Sequence, residues 1–503
     1  MKAYLLNRRD YAGDENIAPF SDDLVEDLML EPILEIMAKN DKFIYTQCKR
    51  ILLSPMTDLE NILHRQNALR DAIRNKKTIL SLYATVAEVV TDMSNYRTSM
   101  RKNGNPTPAI KVLQAVDQLN LVAKGLERLK SEIVNTYGHF KGNIFRDFYD
   151  EFLKEFNTNF VKLVTEKAIL LREIGEEGEI QISGTIGRGL KADGFRVNSL
   201  SEYQTRRKVD IMESLFSTKV RKNEIRIPYD DTLRMDCMSL ETAGLAHVAS
   251  CFSDLARELM RLFDSLRVQL AFYQGCCNLH SHMVNMVFPV CFPEVVKGRH
   301  PINATDIYDL GIAIRNQKIP TGNDITGEDT ILYLITGTNN GGKTTFIRSA
   351  AVSQLMAQCG MFVPANAMVT QVFEGIYTHF VHKEDATMTD GKLEEELRRL
   401  SKIVDHMKPN SLIFLNESFA TTSEREGAHI AEDIMKAFAE NEVTCFFVTH
   451  ICTYAKKSYD EGLPRTKFLQ AERTEEGART YHIVEGEPSL TGYGMEIYRD
   501  ILG

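Results

Sequence analysis

Residues Gly337-Thr338-Asn339-Asn340-Gly341-Gly342-Lys343-Thr344 fit the pattern GxxxxGK[ST], between an apolar run, ILYLIT, and a stretch of helical character, TTFIRSAAVSQLMAQ. No other feature constrains the fold of this chain so tightly. A glycine-rich turn that ends a buried strand and opens a helix aims backbone N–H groups at one point, where the helix N-terminus adds positive potential. That arrangement suits the phosphates of ATP. The expectation is that Lys343 reaches the outer phosphates and that the Thr344 hydroxyl holds Mg²⁺. Gly337, Thr338, Asn339, Asn340, Gly341, Gly342, Lys343, Thr344 and the adjoining Thr345 are thus the candidate nucleotide-binding residues.

Two further apolar runs end in polar residues. SLIFLNE closes on Asn416-Glu417, and CFFVTH closes on Thr449-His450. With the helical runs between them they give the alternation of a parallel sheet flanked by helices, whose ligands bind at the carboxyl edge of the strands. Glu417 is the candidate for polarising an attacking water, and His450 for contacting that water or the terminal phosphate. Most ATPases built on such a loop carry Asp before the Glu, to support the magnesium shell. Asn416 stands there instead: still an oxygen donor, but neutral. The chain is expected to hydrolyse ATP slowly, with a clamp gated by nucleotide but barely hydrolysing it as the alternative. A small-molecule kinase is disfavoured, because Glu417 and His450 suit a water nucleophile.

The α/β texture begins near residue 284, and the preceding part reads as mostly helical. Val112, Ala115, Leu119, Val122, Leu126, Leu129 and Ile133 are spaced alternately by three and four, a heptad seam. Leu245, Val248, Phe252, Leu255, Leu259 and Leu262 repeat it in a helix expected from about Gly244 to Tyr273. Packing within one chain is the ordinary reading of both, a dimeric coiled coil the other. Five glycines and short alternating runs in EGEIQISGTIGRGLKADGFRVNSL predict hairpin strands. The fold class expected is multidomain: an N-terminal segment at 1–45, a helical core or lever domain at 46–283 with a small β-rich insertion at about 176–230, and an α/β P-loop ATPase domain at 284–503.

Charge qualifies the choice of partner. Sixty Lys and Arg face 69 Asp and Glu across 503 residues, a net charge of −9, which excludes a globally basic nucleic-acid coat. The window 188–226 runs the other way, with ten basic residues against five acidic. Arg206, Arg207, Lys208, Lys219, Arg221 and Lys222 are its candidate phosphate contacts, and a solvated surface insertion is the plain alternative. Nine scattered cysteines without a CxxC pair argue against a disulfide framework or zinc site. There is no signal peptide and no apolar run of about 18 residues, so no membrane partner and a cytoplasmic location are expected.

The motifs together resemble the MutS family. ITGTNNGGKTTFIRS with MAQCGMFVPA is similar to its phosphate loop and following helix, Arg299-His300-Pro301 to its RHP, and Asn323-Asp324-Ile325 to its NDI. NESFATTSEREGAHIAEDIM, FVTH and the closing YHIVEGEPSLTGYGMEIYRDIL also match. LLSPMTDLENILHRQNALRDAI resembles the start of the family's core domain, through Pro55, Thr57, Asp58, Leu59, Glu60, Arg65 and Gln66. The resemblance implies an ATPase that works as a homodimer, with nucleotide sandwiched between head-to-tail ATPase domains and coupled to a nucleic acid. DNA is the favoured partner, RNA or a ribosome the alternative. The core motif starts by residue 50, so a chain lacking the mismatch-reading and connector domains is expected. In the signature loop, Asp385 and Glu396 align, but Gly391-Lys392 stands where the family has Ser-Thr.

Overall fold

Strands form where apolar runs have two faces to bury. Leu332–Thr336 and Thr444–Val448 are buried throughout, and Leu412–Asn416 at all but its last residue. Continuous burial of this kind requires a parallel sheet covered on both sides. In the computed structural model these runs are the middle of such a sheet. The structure describes residues 3–8, 17–101, 106–160, 162, 164, 166, 182–186, 192–197, 231–381, 391–474 and 478–488. The chain divides into two compact units, one of Ala84–Tyr137 and Tyr149–Arg267, the other of Lys2–Tyr83, Gly138–Phe148 and Val268–Gly503.

The strands in chain order are β1 (Ile182–Ile186), β2 (Ala192–Val197), β3 (Glu294–Val296), β4 (Asn303–Ile307), β5 (Asn323–Ile325), β6 (Leu332–Thr336), β7 (Ala367–Gln371), β8 (Ile376–Phe380), β9 (Leu412–Asn416), β10 (Thr444–Val448), β11 (Thr466–Arg473) and β12 (Arg479–Glu485). The larger unit holds a six-stranded sheet in the order β12-β11-β6-β10-β9-β8 and a four-stranded one in the order β3-β7-β4-β5. In the first sheet only β12 is antiparallel to its neighbour. Val448 of β10 lies opposite Asn416 of β9 and Ile335 of β6, so three strand ends share one edge. Beneath them Leu334, Ile413, Leu415 and Phe447 are fully buried, among Ala431, Phe438 and Tyr454 of the covering helices. Each such Leu or Phe contributes about 1.5–3 kcal/mol. That burial holds the strand ends in place.

The N-terminal part of the same unit grips the helix Lys343–Gln358 that follows β6. Met56 N–H donates to Gln358 O (2.9 Å), and Gln358 Nε2 donates back to Met56 O (3.0 Å). The fully buried Arg65 donates from Nε to Leu6 O (3.2 Å), from Nη1 to Cys359 O (3.2 Å) and from Nη2 to Asn7 Oδ1 (2.7 Å). Gln66 Nε2 donates to Pro293 O (3.1 Å). The motif at 55–66 thus ties the chain's start to the end of the helix behind the glycine-rich loop.

In the other unit Pro108–Thr136 starts on Thr107, whose hydroxyl accepts the Ile110 N–H (3.4 Å). All seven residues of the predicted seam are buried. Gly125 permits close packing: a Cβ there would lie 2.8 Å from Val89 and 3.3 Å from Phe263. Arg128–Glu88 (2.9 Å) and Tyr96–Asp117 (3.3 Å) pair this helix antiparallel to Lys76–Arg101. The seam is therefore satisfied within the chain. Of the second stripe, the side chains of Leu245 and Val248 lie outside those described, and the rest is offset from expectation. Leu259 and Leu262 are buried, but Phe252 and Leu255 only partly, and Ala256, Phe263, Leu266 and Leu270 carry the stripe. Its helix is also longer, Asp231–Asn285, because no proline occurs between Pro228 and Pro289 and the interior Gly244 and Gly275 do not break it. β1 and β2 pair antiparallel as the expected hairpin, with an irregularity at Ser183/Thr185. Among the described residues no helix is long and apolar enough to cross a membrane.

Candidate functional site

Gly337 follows β6 at φ 120°, Asn340 stands at φ 58° and Gly342 at φ 92°, and Lys343 opens the helix. Positive φ at two of these positions is cheap because they are glycine. Gly341 serves another purpose: a Cβ there would come within 2.7 Å of Ala471 Cβ on β11. Its N–H donates to Thr338 O (3.2 Å). The Thr338 hydroxyl is buried with no hydrogen-bond partner among the described residues, while Asn339 and Asn340 are exposed and Thr345 is half-buried.

Lys343 is 4% exposed, and its Nζ donates to Gly337 O and Thr338 O, both at 2.8 Å. Burial pushes its pKa down to about 8, against the pull of Glu417 and Cys452. The next residue faces the neighbouring strand ends, with Thr344 Oγ1 donating to Asn416 Oδ1 (3.1 Å). Beyond Asn416 the backbone turns sharply: Glu417 has φ 60° and Phe419 φ 67°. Glu417 N–H donates to Val448 O (2.9 Å), and Glu417 Oε1 lies 3.1 Å from His450 Nε2. The His450 hydrogen bond holds the Glu417 carboxyl below its usual range, burial opposes it, and the charges of His450 and Lys343 assist. Thr449 N–H donates to Ile335 O (3.1 Å), completing the seam between β10 and β6.

One edge of the sheet thus brings together a lysine, a threonine hydroxyl, an amide oxygen, a carboxylate and an imidazole. Two supports involve motif residues whose contacts the sequence did not show. Asn323 Oδ1 accepts the Ile483 N–H (2.6 Å) and its Nδ2 donates to Tyr481 O (3.3 Å), so NDI fastens β12 beside the loop. His379, Ser418 and Glu396 brace the turn after Glu417. His379 alone had not been singled out, and its signal was a His in the mostly apolar strand IYTHF. Arg206, Arg207, Lys208, Lys219, Arg221 and Lys222 lie outside the described residues, as do 382–390 of the signature loop.

A model of the MutS2 N-terminal domain matches residues 57–286, and one of MutS domain V matches residues 333–501. The DNA mismatch repair protein MutS of Thermus aquaticus is 32% identical over 206 residues, 41% of this chain and 23% of that protein. The DNA mismatch repair protein MSH3 of Candida glabrata is 27% identical over 282 residues, 54% of this chain and 25% of that protein. The MutS protein homolog him-14 of Caenorhabditis elegans is 26% identical over 205 residues, 41% of this chain and 23% of that protein. The chain spans about a quarter of the length of these relatives.

Proposed function

The chain belongs to the MutS family, and we propose that it binds ATP with Mg²⁺ at residues 337–345 and hydrolyses it slowly, as a homodimer that couples nucleotide state to a nucleic acid. The observation that carries this reading is the convergence of Lys343, Thr344, Asn416, Glu417 and His450 on one sheet edge, with His450 3.1 Å from Glu417. The residues fit a phosphate group. The bare Gly341 lets β11 pack against the loop, the buried Thr338 hydroxyl has no partner among the described residues, and Lys343 is held by two carbonyls it can exchange for stronger, charged acceptors. Thr344 and Asn416 would hold Mg²⁺, which offsets phosphate charge when bound.

Glu417 is the base in this reading. Its carboxylate is kept ionised by His450, and its backbone is fixed to Val448. His450 orients the carboxylate and is itself the second group able to contact a water. DNA is the proposed nucleic acid, supported by the names of the relatives, with the basic window around 188–226 as its contact. ATP titration of the wild type and Lys343→Ala, with phosphate release on the same samples, tests the proposal. The variant should bind at least tenfold more weakly, about 1.4 kcal/mol. Equal affinity, or wild-type phosphate release no faster than that of the variant, would overturn it.

One feature favours a second reading, a nucleotide-gated clamp with negligible hydrolysis. Asn416 is uncharged and already takes the Thr344 hydroxyl. Wild-type binding without turnover would select that reading.

A further inference from the structure

We propose that Glu396 is a positioning residue for Glu417, acting through the turn that follows it; this rests on the reading of Glu417 as the base of ATP hydrolysis. The turn is the least ordinary backbone at the site. Glu417 (φ 60°) and Phe419 (φ 67°) both hold the left-handed conformation that L residues with side chains adopt only under constraint. A strand end with two such residues drifts unless its neighbours fix it.

The constraint comes from two elements distant in sequence. Glu396 lies on the helix Lys392–His406 and is half-buried. Its Oε2 accepts the Phe419 N–H (3.1 Å) and the Thr421 hydroxyl (3.3 Å). Its backbone carbonyl accepts from Nε2 of the fully buried His379 (3.2 Å). His379 Nδ1 lies 2.7 Å from Oγ of the buried Ser418, which is also 3.1 Å from His379 O. The His379 ring also stacks on Phe419, centroids 6.4 Å apart. Residues 418, 419 and 421 are thus each tied to Glu396, directly or through His379, and Glu417 is tied to Val448 on the other side.

Burial raises the Glu396 pKa, while the Phe419 N–H, Thr421 and Arg399 pull it down. A carboxylate is kept in that half-dry position by its partners on the turn. An amide in its place retains the acceptor oxygen, whereas a methyl group retains nothing. This contrast separates positioning from bulk packing.

The test compares Glu396→Ala and Glu396→Gln, each in the wild type and in a Glu417→Gln background. Glu396→Ala should lower kcat by about tenfold or more, with ATP affinity within twofold, and Glu396→Gln should stay near wild type. In the Glu417→Gln background Glu396→Ala should cost little further, because the group it positions is gone. Hydrogen exchange over residues 416–423 should quicken in Glu396→Ala and not in Glu396→Gln. A Glu396→Ala rate within twofold of wild type, full additivity with Glu417→Gln, or a parallel loss of ATP affinity would overturn the inference. Unchanged exchange over 416–423 would overturn it whether or not the wild type turns over. Absence of wild-type turnover with quickened exchange would overturn the hydrolysis reading and leave the bracing of the turn standing.

Discussion

Thr344 Oγ1 donates to Asn416 Oδ1 across 3.1 Å, linking the first turn of the loop helix to the end of β9. A carboxylate at 416 would accept the same hydroxyl and add a negative charge beside the proposed magnesium position. Mg²⁺ prefers hard anionic oxygens, so the amide costs affinity, but it can still orient a coordinated water. Asn416→Asp should lower the half-saturating magnesium concentration and raise turnover. ATPase rate against magnesium for both versions measures this. An Asp variant no faster at any magnesium level would show that the missing charge does not limit the rate.

The pairing of Glu417 with His450 makes three further outcomes specific. Glu417→Gln keeps the shape without the base, so turnover should fall about 10²–10⁴-fold while ATP still binds. If the nucleotide sites are shared between two copies, that variant with Mg·ATP should accumulate as a dimer in light scattering, and a monomer at micromolar concentration under both conditions would count against the sandwich. His450→Ala removes the main influence holding the Glu417 carboxyl down and leaves burial to push it up. The acid limb of the rate should therefore move to higher pH. The sign for stability agrees: a carboxyl held below its unfolded value stabilises the fold above that value, and this is lost as pH falls through the folded pKa.

Lys343 carries a linkage of the same sign for the opposite reason, since here the charged form is the disfavoured one. Burial lowers its pKa to about 8 from an ordinary 10.5, so the folded chain holds fewer protons than the unfolded chain between these values. Nucleotide-free stability should then gain with rising pH across that window, relative to Lys343→Met. ATP needs the charged ammonium, so affinity should fall above about pH 8, and binding near that pH should take up a proton. Calorimetry in two buffers of different ionisation enthalpy measures the uptake. A pH-independent affinity with no proton uptake would contradict the picture.

What could be read in the sequence was whatever repeats or sits locally. The seam from Val112 to Ile133 shows because its spacing is periodic, and β6, β9 and β10 show because their burial is continuous. The ends of Asp231–Asn285 did not show, since no residue between Pro228 and Pro289 stops a helix. Contacts between distant positions were hidden altogether. Asn323 meets Ile483 across 160 residues, and His379 meets Ser418 across 39. Lys343 was expected to face phosphates, but its hold on the carbonyls of Gly337 and Thr338 needed coordinates.

The basic window allows a test that needs no side-chain geometry. If Arg206, Arg207, Lys208, Lys219, Arg221 and Lys222 neutralise phosphates, log K should fall with log salt at a slope of about −0.9 per duplex contact. Replacing all six by Gln should flatten the slope by several units and leave ATP binding intact. An unchanged slope would return the window to a solvated surface role.

Arg65 sets the last expectation. Its guanidinium is wholly buried and donates to Leu6 O, Cys359 O and Asn7 Oδ1, with the Phe272 ring 5.5 Å from Cζ. Removing it leaves two backbone carbonyls without their donor, at about 1–3 kcal/mol each, and adds a cavity. Arg65→Ala should therefore lose about 3–5 kcal/mol in urea denaturation. Arg65→Lys should recover only part of that, since an ammonium cannot span the fork from Leu6 to Cys359 that the planar guanidinium fills. Because Cys359 follows the helix that starts at Lys343, the loss should also reach the site, and Arg65→Lys should weaken ATP binding even where the chain remains folded. Wild-type ATP affinity in folded Arg65→Lys would confine Arg65 to a purely stabilising role.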